Sequence, residues 1–369
     1  MQNKFLLSLA FTLIFMLNMQ AQTASLPTEA LNKTLQKSID KKYVFGAIAM
    51  IKKGDETWIS SAGELQAAQS YFIASTTKLY ITALVFKFRE EGRLSLDSYI
   101  EHFLSPEVKK DLHVMGANDY TNKIQIRHLL AQTSGLPDYF LGKPKGGKSL
   151  LEELSTGHDK YWSYQDAIAL SKTMKPSFEP GAKGKALYSD TNYQLLGKIL
   201  EHISGETLEQ LLANYIFTPL NLSKTYLYKD KSDRTPANMY FKNKALPIPM
   251  AMTSVWADGG IVSTAEESMV FIEAFFNGKL FPKEDLKEME QWNKIFFPLQ
   301  YGIGIMKFQL PRLFSPFKPM PILIGHSGLS GAFQYYVPEK NCFITGTVNQ
   351  IDKPSLSYKL LLKLVSQVK

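Results

Sequence analysis

Residues 75–92 read STTKLYITALVFKFREEG, and this stretch determines how the rest of the chain is interpreted. Its middle part, residues 79–88, is apolar on almost every side, which is typical of a helix that is buried in a protein. Gly92 is a residue type that commonly ends helices. The pattern therefore predicts a buried helix from about Ser75 to Glu91, with a hydroxyl group and an ammonium group one turn apart at its start.

On the N-terminal side of this helix the sequence predicts an amphipathic helix and then a β-hairpin. Leu31, Leu35 and Ile39 recur at helical spacing. Residues 44–51 and 57–62 have the composition of two strands that are joined by a turn at Gly54.

On the C-terminal side, helices and loops follow up to about residue 250, and strands return afterwards. Helices are predicted at 165–174, 191–204 and 356–365, and strands at 301–308, 322–325, 333–337 and 343–348. Strands at both ends with helices between them predict an α/β (α+β) fold with an inserted helical domain. We expect a discontinuous sheet domain of residues 22–95 plus 255–369, and a helical domain of residues 96–254.

Residues 1–21 have the pattern of a secretory signal peptide. Lys4 precedes an apolar run over residues 5–17, and Ala21 and Ala24 follow as possible cleavage positions. The run is short for a membrane span, and a retained N-terminal anchor is the alternative. We expect a periplasmic or secreted bacterial protein that has no stable membrane span after signal removal.

The composition excludes several classes of protein. Of the 369 residues, 45% are hydrophobic and 21% are charged, as in ordinary soluble proteins. Cys342 is the only cysteine, so no intramolecular disulfide is possible. The net charge of +8 is spread along the chain without a nucleic-acid motif, so no nucleic-acid partner is expected. The six histidines lack metal-ligand spacing and no phosphate-binding glycine loop is present, so no metal or other cofactor is expected.

The occurrences of the pattern Ser-x-x-Lys include Ser38/Lys41, Ser75/Lys78 and Ser315/Lys318. Ser38/Lys41 lies at the end of an amphipathic helix, where a lysine interacts favourably with the helix dipole. In Ser315/Lys318, a proline between the two residues argues against a helical turn. In Ser75/Lys78, burial should lower the pKa of Lys78, so that a neutral amine is available as a base. The N-terminus of its helix also presents N–H groups to developing negative charge. A structural serine cap beside a snorkelling lysine remains an equal alternative from these residues alone.

Further motifs accompany Ser75-Thr76-Thr77-Lys78. Tyr188-Ser189-Asp190 and Gly325-His326-Ser327-Gly328 follow it in the order and rough spacing of the active-site motifs of the serine β-lactamase and DD-peptidase superfamily. Residues 128–138 (HLLAQTSGLPD) and 257–264 (ADGGIVST) resemble framework signatures of its class C-like branch. The chain resembles this superfamily over nearly all of its mature length.

The resemblance implies an antiparallel sheet flanked by helices, and an acyl-enzyme mechanism. Ser75 would be the nucleophile, Lys78 its close partner and Tyr188 the second general base or proton relay. Which of Lys78 and Tyr188 is the acylation base stays open. The backbone N–H groups of Ser75 and Leu329 would form the oxyanion hole, where each donor contributes roughly 3 kcal/mol. The substrate-binding residues would be Asp190, His326, Ser327 and Gly328.

Two positions depart from the pattern of the superfamily. The second motif usually ends in asparagine, whereas an ionised Asp190 only accepts hydrogen bonds and would repel an acidic ligand. Capping of the helix that begins at Thr191 is an alternative role for Asp190. The third motif commonly carries lysine, whereas His326 is mostly neutral at pH 7. Both changes weaken the attraction for the carboxylate of a β-lactam, and no acidic deacylation residue is assigned.

We therefore expect an exported serine hydrolase that cleaves amide or ester bonds in a small-molecule or peptide substrate, with cell-wall-derived peptides among the candidates. A peptidase for D-amino-acid-containing peptides and a carboxylesterase are not separated by the sequence. The alternative is a penicillin-binding or sensor-like protein that acylates or binds without efficient turnover. A structural envelope protein is disfavoured, because a scaffold has no need for a buried lysine beside a serine.

Overall fold

The computed structural model describes residues 25–314 and 320–369. The helices are α1 Thr28–Gln36, α2 Thr77–Glu90, α3 Pro106–Lys109, α4 Ile126–Leu130, α5 Leu150–Ser155, α6 Tyr164–Lys172, α7 Thr191–Ser204, α8 Leu208–Leu212, α9 Pro249–Ser254, α10 Trp256–Gly259, α11 Ala265–Phe276, α12 Asp285–Met289 and α13 Ser355–Val365. The strands are β1 Gly46–Lys53, β2 Glu56–Gly63, β3 Tyr71–Phe72, β4 Val114–Met115, β5 Asn118–Asp119, β6 Tyr226–Leu227, β7 Tyr240–Phe241, β8 Lys244–Ala245, β9 Ile261–Ser263, β10 Asn293–Phe296, β11 Leu299–Tyr301, β12 Met306–Phe308, β13 Leu323–Ser327, β14 Phe333–Val337 and β15 Cys342–Thr347. The predicted signal peptide and the pair Ser315/Lys318 lie outside the described residues.

An eight-stranded antiparallel sheet forms the centre of the fold. Its strand order is β10-β11-β12-β13-β14-β15-β1-β2, so the N-terminal hairpin joins the strands of the last third of the chain. The junction is the β1–β15 pair, in which Ile48 lies opposite Thr347 and Lys52 opposite Phe343. The predicted antiparallel sheet flanked by helices is confirmed.

The alternation of side chains along β1 explains why both faces of the sheet are covered. Ala47, Ala49 and Ile51 belong to the core that the sheet shares with α1 and α13. Ile48 and Met50 point the other way, into the core that contains α2 and α11. Because both sets of side chains are apolar, each face must pack against helices.

Helix α7 holds the second motif beside the start of α2. It packs against α2, α4, α6 and α10. The division of the chain at residues 95/96 and 254/255 stays a prediction. The intervening segment also contains short strands, and its β6 pairs with β9 outside it. None of the helices in the described part of the chain combines the length and the hydropathy that a membrane crossing requires.

Three local predictions differ from the structure. Residues 301–308 are not one strand but part of the hairpin β11–β12, because the alternating pattern continues through a turn in which Gly304 has a φ of +76°. Helix α2 begins at Thr77, after a 3-10 turn over Ala74–Thr76. Strand β10 and helix α11 are additional elements that the pattern did not predict.

Candidate active site

Ser75 lies in the tight turn that precedes α2. The residue before it, Ala74, has a φ of +46°, a left-handed conformation that costs a non-glycine residue about 1–3 kcal/mol. The turn is fixed by Thr76, whose hydroxyl donates to the carbonyl of Ile73 at 3.0 Å and accepts from the side-chain amide of Gln334 at 3.0 Å. Such strain next to Ser75 is typical of a segment that the surrounding structure holds in place for a function.

Lys78 is completely buried and reaches the side chain of Ser75. Its Nζ lies 3.2 Å from Ser75 Oγ and donates at 2.7 Å to the backbone carbonyl of Asp258. A third neighbour, Asp190 Oδ1, forms an ion pair with Nζ at 2.6 Å. Two of these neighbours accept hydrogen bonds from the ammonium group, and the third compensates its charge.

The predicted lowering of the pKa of Lys78 is wrong. Burial does act to lower this pKa, but the charge of Asp190 and, to a smaller extent, Tyr188 and Asp258 oppose it, and the pKa is raised above its usual value. The resting lysine is therefore an ammonium that donates to Ser75, not a free amine that awaits a proton. The prediction considered burial alone and left out the partner that burial brings with it.

Asp190 does not act as a helix cap through its side chain. It occupies the N-cap position of α7, yet its carboxylate makes no capping hydrogen bond. The carboxylate instead pairs with Lys78, and its side chain keeps 8% exposure on the cavity described below. Removing one partner from such a buried pair is strongly destabilising, because the other charge is left uncompensated.

Tyr188 lies beside Lys78. Its side chain lines the same cavity as Ser75, and the Nζ of Lys78 lies 5.2 Å from the centre of its ring. Burial raises the pKa of Tyr188, and the positive charge of Lys78 offsets this only in part. Tyr188 is therefore a neutral phenol at neutral pH, so neither predicted base is deprotonated in the resting site.

Gln132 fixes the backbone on both sides of Tyr188. Its carbonyl accepts from the N–H of Leu187 at 2.9 Å, and its side-chain oxygen accepts from the N–H of Ser189 at 2.9 Å. The same oxygen accepts from the Asn192 side chain at 2.6 Å. Gln132 is buried and has a φ of +61°. Gln132 lies in residues 128–138, which were predicted to be framework, and no local signal separates it from the polar Thr133 and Ser134 that follow it.

The structure places His326 behind the cavity wall, and its contact with the substrate stays a prediction. The side chain is fully buried and is not part of the cavity lining. Nδ1 lies 2.7 Å from the Ser327 carbonyl, which only accepts, so Nδ1 carries the proton and Nε2 accepts from the Tyr301 hydroxyl at 3.0 Å. Burial and the charge of Lys78 lower the pKa of His326 to about 3. His326 is thus a neutral residue that supports Tyr301.

The turn after β13 approaches Ser75 closely. A Cβ on Gly328 would lie 2.5 Å from the carbonyl oxygen of Ile73, so only glycine allows this approach. The Ser330 hydroxyl fastens the turn by donating to the Phe72 carbonyl at 2.7 Å. Leu329 therefore lines the same cavity as Ser75, together with Ser327 and Gly328. The assignment of the Ser75 and Leu329 N–H groups to an oxyanion hole stays a prediction that this placement suits.

Comparison with known proteins identifies the family of the chain. The family model described as Beta-lactamase matches residues 31–362. The chain belongs to the Beta-lactamase family. It is therefore a member of a family of serine hydrolases, and the three motifs of this member form one site.

Individual relatives of this Beta-lactamase-family chain are distant. The PbpX protein of Bacillus subtilis is 23% identical over 263 residues, which cover 68% of this chain and 56% of PbpX. The chain spans about half the length of the curated relatives it matches. A D-stereospecific amidohydrolase from Streptomyces sp. is 25% identical, with a TM-score of 0.73 over 90% of this chain and 97% of that one. The D-amino acid amidase of Ochrobactrum anthropi SV3, 20% identical with a TM-score of 0.75 over 92% and 98%, shows the fold.

The site of this Beta-lactamase-family member opens into a cavity of about 970 Å³. Besides Ser75, Tyr188 and Asp190, its walls are mostly apolar, and they include Phe140, Leu141, Met174, Leu187, Met239, Ile248, Met252, Val255, Ile295, Leu299, Met306 and Tyr358. Within residues 25–314 and 320–369, no group of three histidine, cysteine or acidic side chains is placed to hold a metal ion.

Proposed function

We propose that this Beta-lactamase-family chain is an exported hydrolase that cleaves amide or ester bonds through an acyl-enzyme on Ser75. The observation that carries the proposal is the contact of Lys78 Nζ with both Ser75 Oγ at 3.2 Å and Asp190 Oδ1 at 2.6 Å, at the wall of a large cavity. Export to the periplasm or the outside of the cell is part of the proposal, and it rests on the sequence pattern of residues 1–21.

The proton on Lys78 must move before this lysine can act as a base. Asp190 is the carboxylate in contact with Nζ, so we assign it as the acceptor. Ser75 Oγ then attacks the substrate carbonyl carbon while its proton passes to the Lys78 amine. The oxyanion that forms lies where the N–H groups of Ser75 and Leu329 are expected to stabilise it.

Collapse of this intermediate breaks the bond to the leaving group. Tyr188 donates its phenolic proton to the departing nitrogen or oxygen, and the Lys78 ammonium returns a proton to the phenolate. The proton held on Asp190 then goes back to Lys78, which restores the resting ion pair. In deacylation a water molecule attacks the acyl carbon, and its proton is passed to Ser75 Oγ through the same groups. The net reaction consumes one water molecule and transfers one proton to the leaving group.

The cavity favours an apolar acyl group over an anionic one. Its lining is mainly aliphatic and aromatic, and Asp190 is a carboxylate on its wall. The third-motif His326 is neutral and withdrawn from the cavity. The likeness to the D-stereospecific amidohydrolase supports amides as the first substrates to test.

The test compares the hydrolysis of a p-nitrophenyl ester and a p-nitroanilide of an apolar acid by wild type and by Ser75→Ala. The variant is expected to lose turnover of both substrates. Ser38→Ala is the matched control, because it removes the hydroxyl of another Ser-x-x-Lys pattern, and it should retain wild-type rates. Full activity in Ser75→Ala would refute the proposal. A burst without turnover in wild type would favour the penicillin-binding or sensor-like alternative.

A further inference from the structure

Three carboxyl groups surround the single buried cation of the site. Asp190 forms an ion pair with Lys78, and the charge of Asp258 also acts to raise the pKa of this lysine. The charge of Lys78 in turn acts to lower the pKa of Asp138. The side chain of Asp258 is satisfied inside the protein, because its Oδ2 accepts from the Tyr139 hydroxyl at 2.7 Å and from Gln194 at 2.9 Å. Asp138 forms no ion pair within the described residues, and, unlike Asp258, it has a buried carboxyl oxygen without a hydrogen-bond partner.

Asp138 is held beside Asp190 by the backbone around it. The carbonyl of Pro137 accepts from the hydroxyls of Ser189 at 3.1 Å and Thr191 at 2.7 Å, which flank Asp190. The N–H of Tyr139 donates to the Thr191 hydroxyl at 3.1 Å. The segment that carries Asp138 is therefore fastened to both neighbours of Asp190.

The two oxygens of Asp138 differ in their contacts. Oδ1 accepts from the N–H groups of Phe140 at 2.8 Å and Leu141 at 3.3 Å. Oδ2 is buried and has no hydrogen-bond partner among the described residues. Asp138 as a whole is 7% exposed and belongs to the lining of the same cavity as Ser75. A buried carboxyl oxygen without a partner costs free energy that a cationic group beside it would recover.

Among residues 25–314 and 320–369, no cationic side chain fills this position. Lys78 donates to Ser75 and to the Asp258 carbonyl and forms its ion pair with Asp190. The other lysines of the cavity lining, Lys143, Lys145 and Lys175, are exposed, and Lys143 pairs with Glu152 at 2.5 Å. Burial and the charge of Asp190 raise the pKa of Asp138, as expected of a carboxyl group that lacks a counterion.

We propose that Asp138, next to Asp190, receives a free ammonium group of the substrate. The preferred substrates are then amides, esters or short peptides in which the acyl residue is an apolar amino acid with an unblocked amine. The ammonium N–H donates to the Asp138 carboxylate, and any proton that the empty carboxyl group held is released to water. The apolar walls near Asp138, including Phe140 and Leu141, receive the side chain. This inference rests on the proposed function and specifies its substrate class.

The experiment uses two p-nitroanilides that differ only in the amine, namely phenylalanine p-nitroanilide (D and L forms) and 3-phenylpropionyl p-nitroanilide. Wild type is expected to prefer the better of the two amine-bearing forms by at least about tenfold in kcat/KM at pH 7, the effect of one charge-assisted hydrogen bond. Asp138→Asn should reduce this ratio by about 10- to 100-fold. Asp55→Asn, in the exposed β1–β2 turn, removes the same charge far from the cavity and should keep the ratio.

A second measurement does not depend on the folding of a variant. At pH 7 phenethylamine should inhibit wild type competitively, whereas 3-phenylpropionate, which carries a negative charge instead, should not. Any of three results would overturn the inference. Wild type could show no preference for the amine, a folded Asp138→Asn variant could keep the wild-type ratio, or the anion alone could inhibit. Hydrolysis of a neutral p-nitrophenyl ester that requires Ser75 would leave the proposed function intact in those cases. Loss of that hydrolysis, or its persistence in Ser75→Ala, would instead refute the proposed function.

Discussion

Asp190→Asn tests whether the ion pair controls the proton state of Lys78. The substitution keeps the shape of the side chain and removes the anion that lies 2.6 Å from Nζ. Leaving a buried charge without its partner costs about 3–5 kcal/mol. Because about 1.36 kcal/mol corresponds to one pKa unit, we expect the pKa of Lys78 to fall by roughly 2–4 units. The protein avoids most of the cost by releasing the lysine proton.

The assay is the pH dependence of kcat/KM for a p-nitrophenyl ester from about pH 6 to pH 10. In wild type the reactive form has the same total number of protons as the resting ion pair, so the rate should not depend on pH in the neutral range. In Asp190→Asn the reactive form is a lysine that has lost its proton to solvent. Its rate should therefore rise with pH until the lowered pKa of Lys78 is passed.

Stability provides an independent readout with a defined sign. In wild type the pKa of Lys78 is higher in the folded state than in the unfolded state. The contribution of the protonated lysine to the stability of the fold is therefore complete below the unfolded-state pKa and is lost as pH rises through the folded-state pKa. In Asp190→Asn the folded-state pKa of Lys78 is lower than in wild type, so the stability difference between the two proteins is constant below that lowered pKa and shrinks as pH rises above it. Urea denaturation should show a deficit relative to wild type that is largest at acidic pH and shrinks towards alkaline pH. Asp55→Asn should show no such trend.

A particular result would refute this reasoning. If Asp190→Asn has the wild-type rate and the same pH-independent profile, Asp190 does not receive the lysine proton and Lys78 is not the acylation base. Tyr188 would then have to act as the base in spite of its raised pKa.

Three further predictions follow from the residues around the site. Gln132→Met removes the acceptor for the Ser189 N–H at similar volume, so kcat should fall about 10- to 100-fold while KM changes little; an effect on KM alone would contradict a positioning role for Gln132. Gly328→Ala places a Cβ 2.5 Å from the Ile73 carbonyl, so kcat/KM should fall by about 100-fold in a folded protein, and a wild-type rate would contradict the predicted oxyanion hole. The pKa of His326 is lowered to about 3, so His326→Gln should change the rate but not the shape of the pH profile above about pH 5. If the substitution removes an inflection from the profile above about pH 5, this histidine titrates in that range and the prediction is wrong.

The sequence predicts most of the framework of the fold, because its signals are local. The predicted hairpin corresponds to β1 and β2, and residues 191–204 and 333–337 form α7 and β14 with the predicted bounds. The split of residues 301–308 into two strands was missed, because an alternating pattern continues through a short turn without a change in polarity. The start of α2 is shifted by a strained turn that no propensity predicts.

The motifs of the site were predictable, but its electrostatics were not. Ser75 and Lys78 are one turn apart, so their contact follows from helix geometry. The charge state of Lys78 depends on Asp190, which reaches it only through the packing of α7 on α2. The neutral, withdrawn state of His326 likewise depends on Tyr301, a residue of a different strand. Both properties arise from contacts between residues that are distant in the sequence.

Intact-protein mass spectrometry tests the acyl-enzyme on Ser75 most directly. Wild type and Ser75→Ala are mixed with a p-nitrophenyl ester of an apolar acid and quenched in acid, and the tryptic peptide of residues 54–78 is then fragmented. The mechanism predicts that wild type gains the mass of one acyl group, located on Ser75, and that the variant gains none. An acyl group on another residue, or the same adduct in Ser75→Ala, would contradict it.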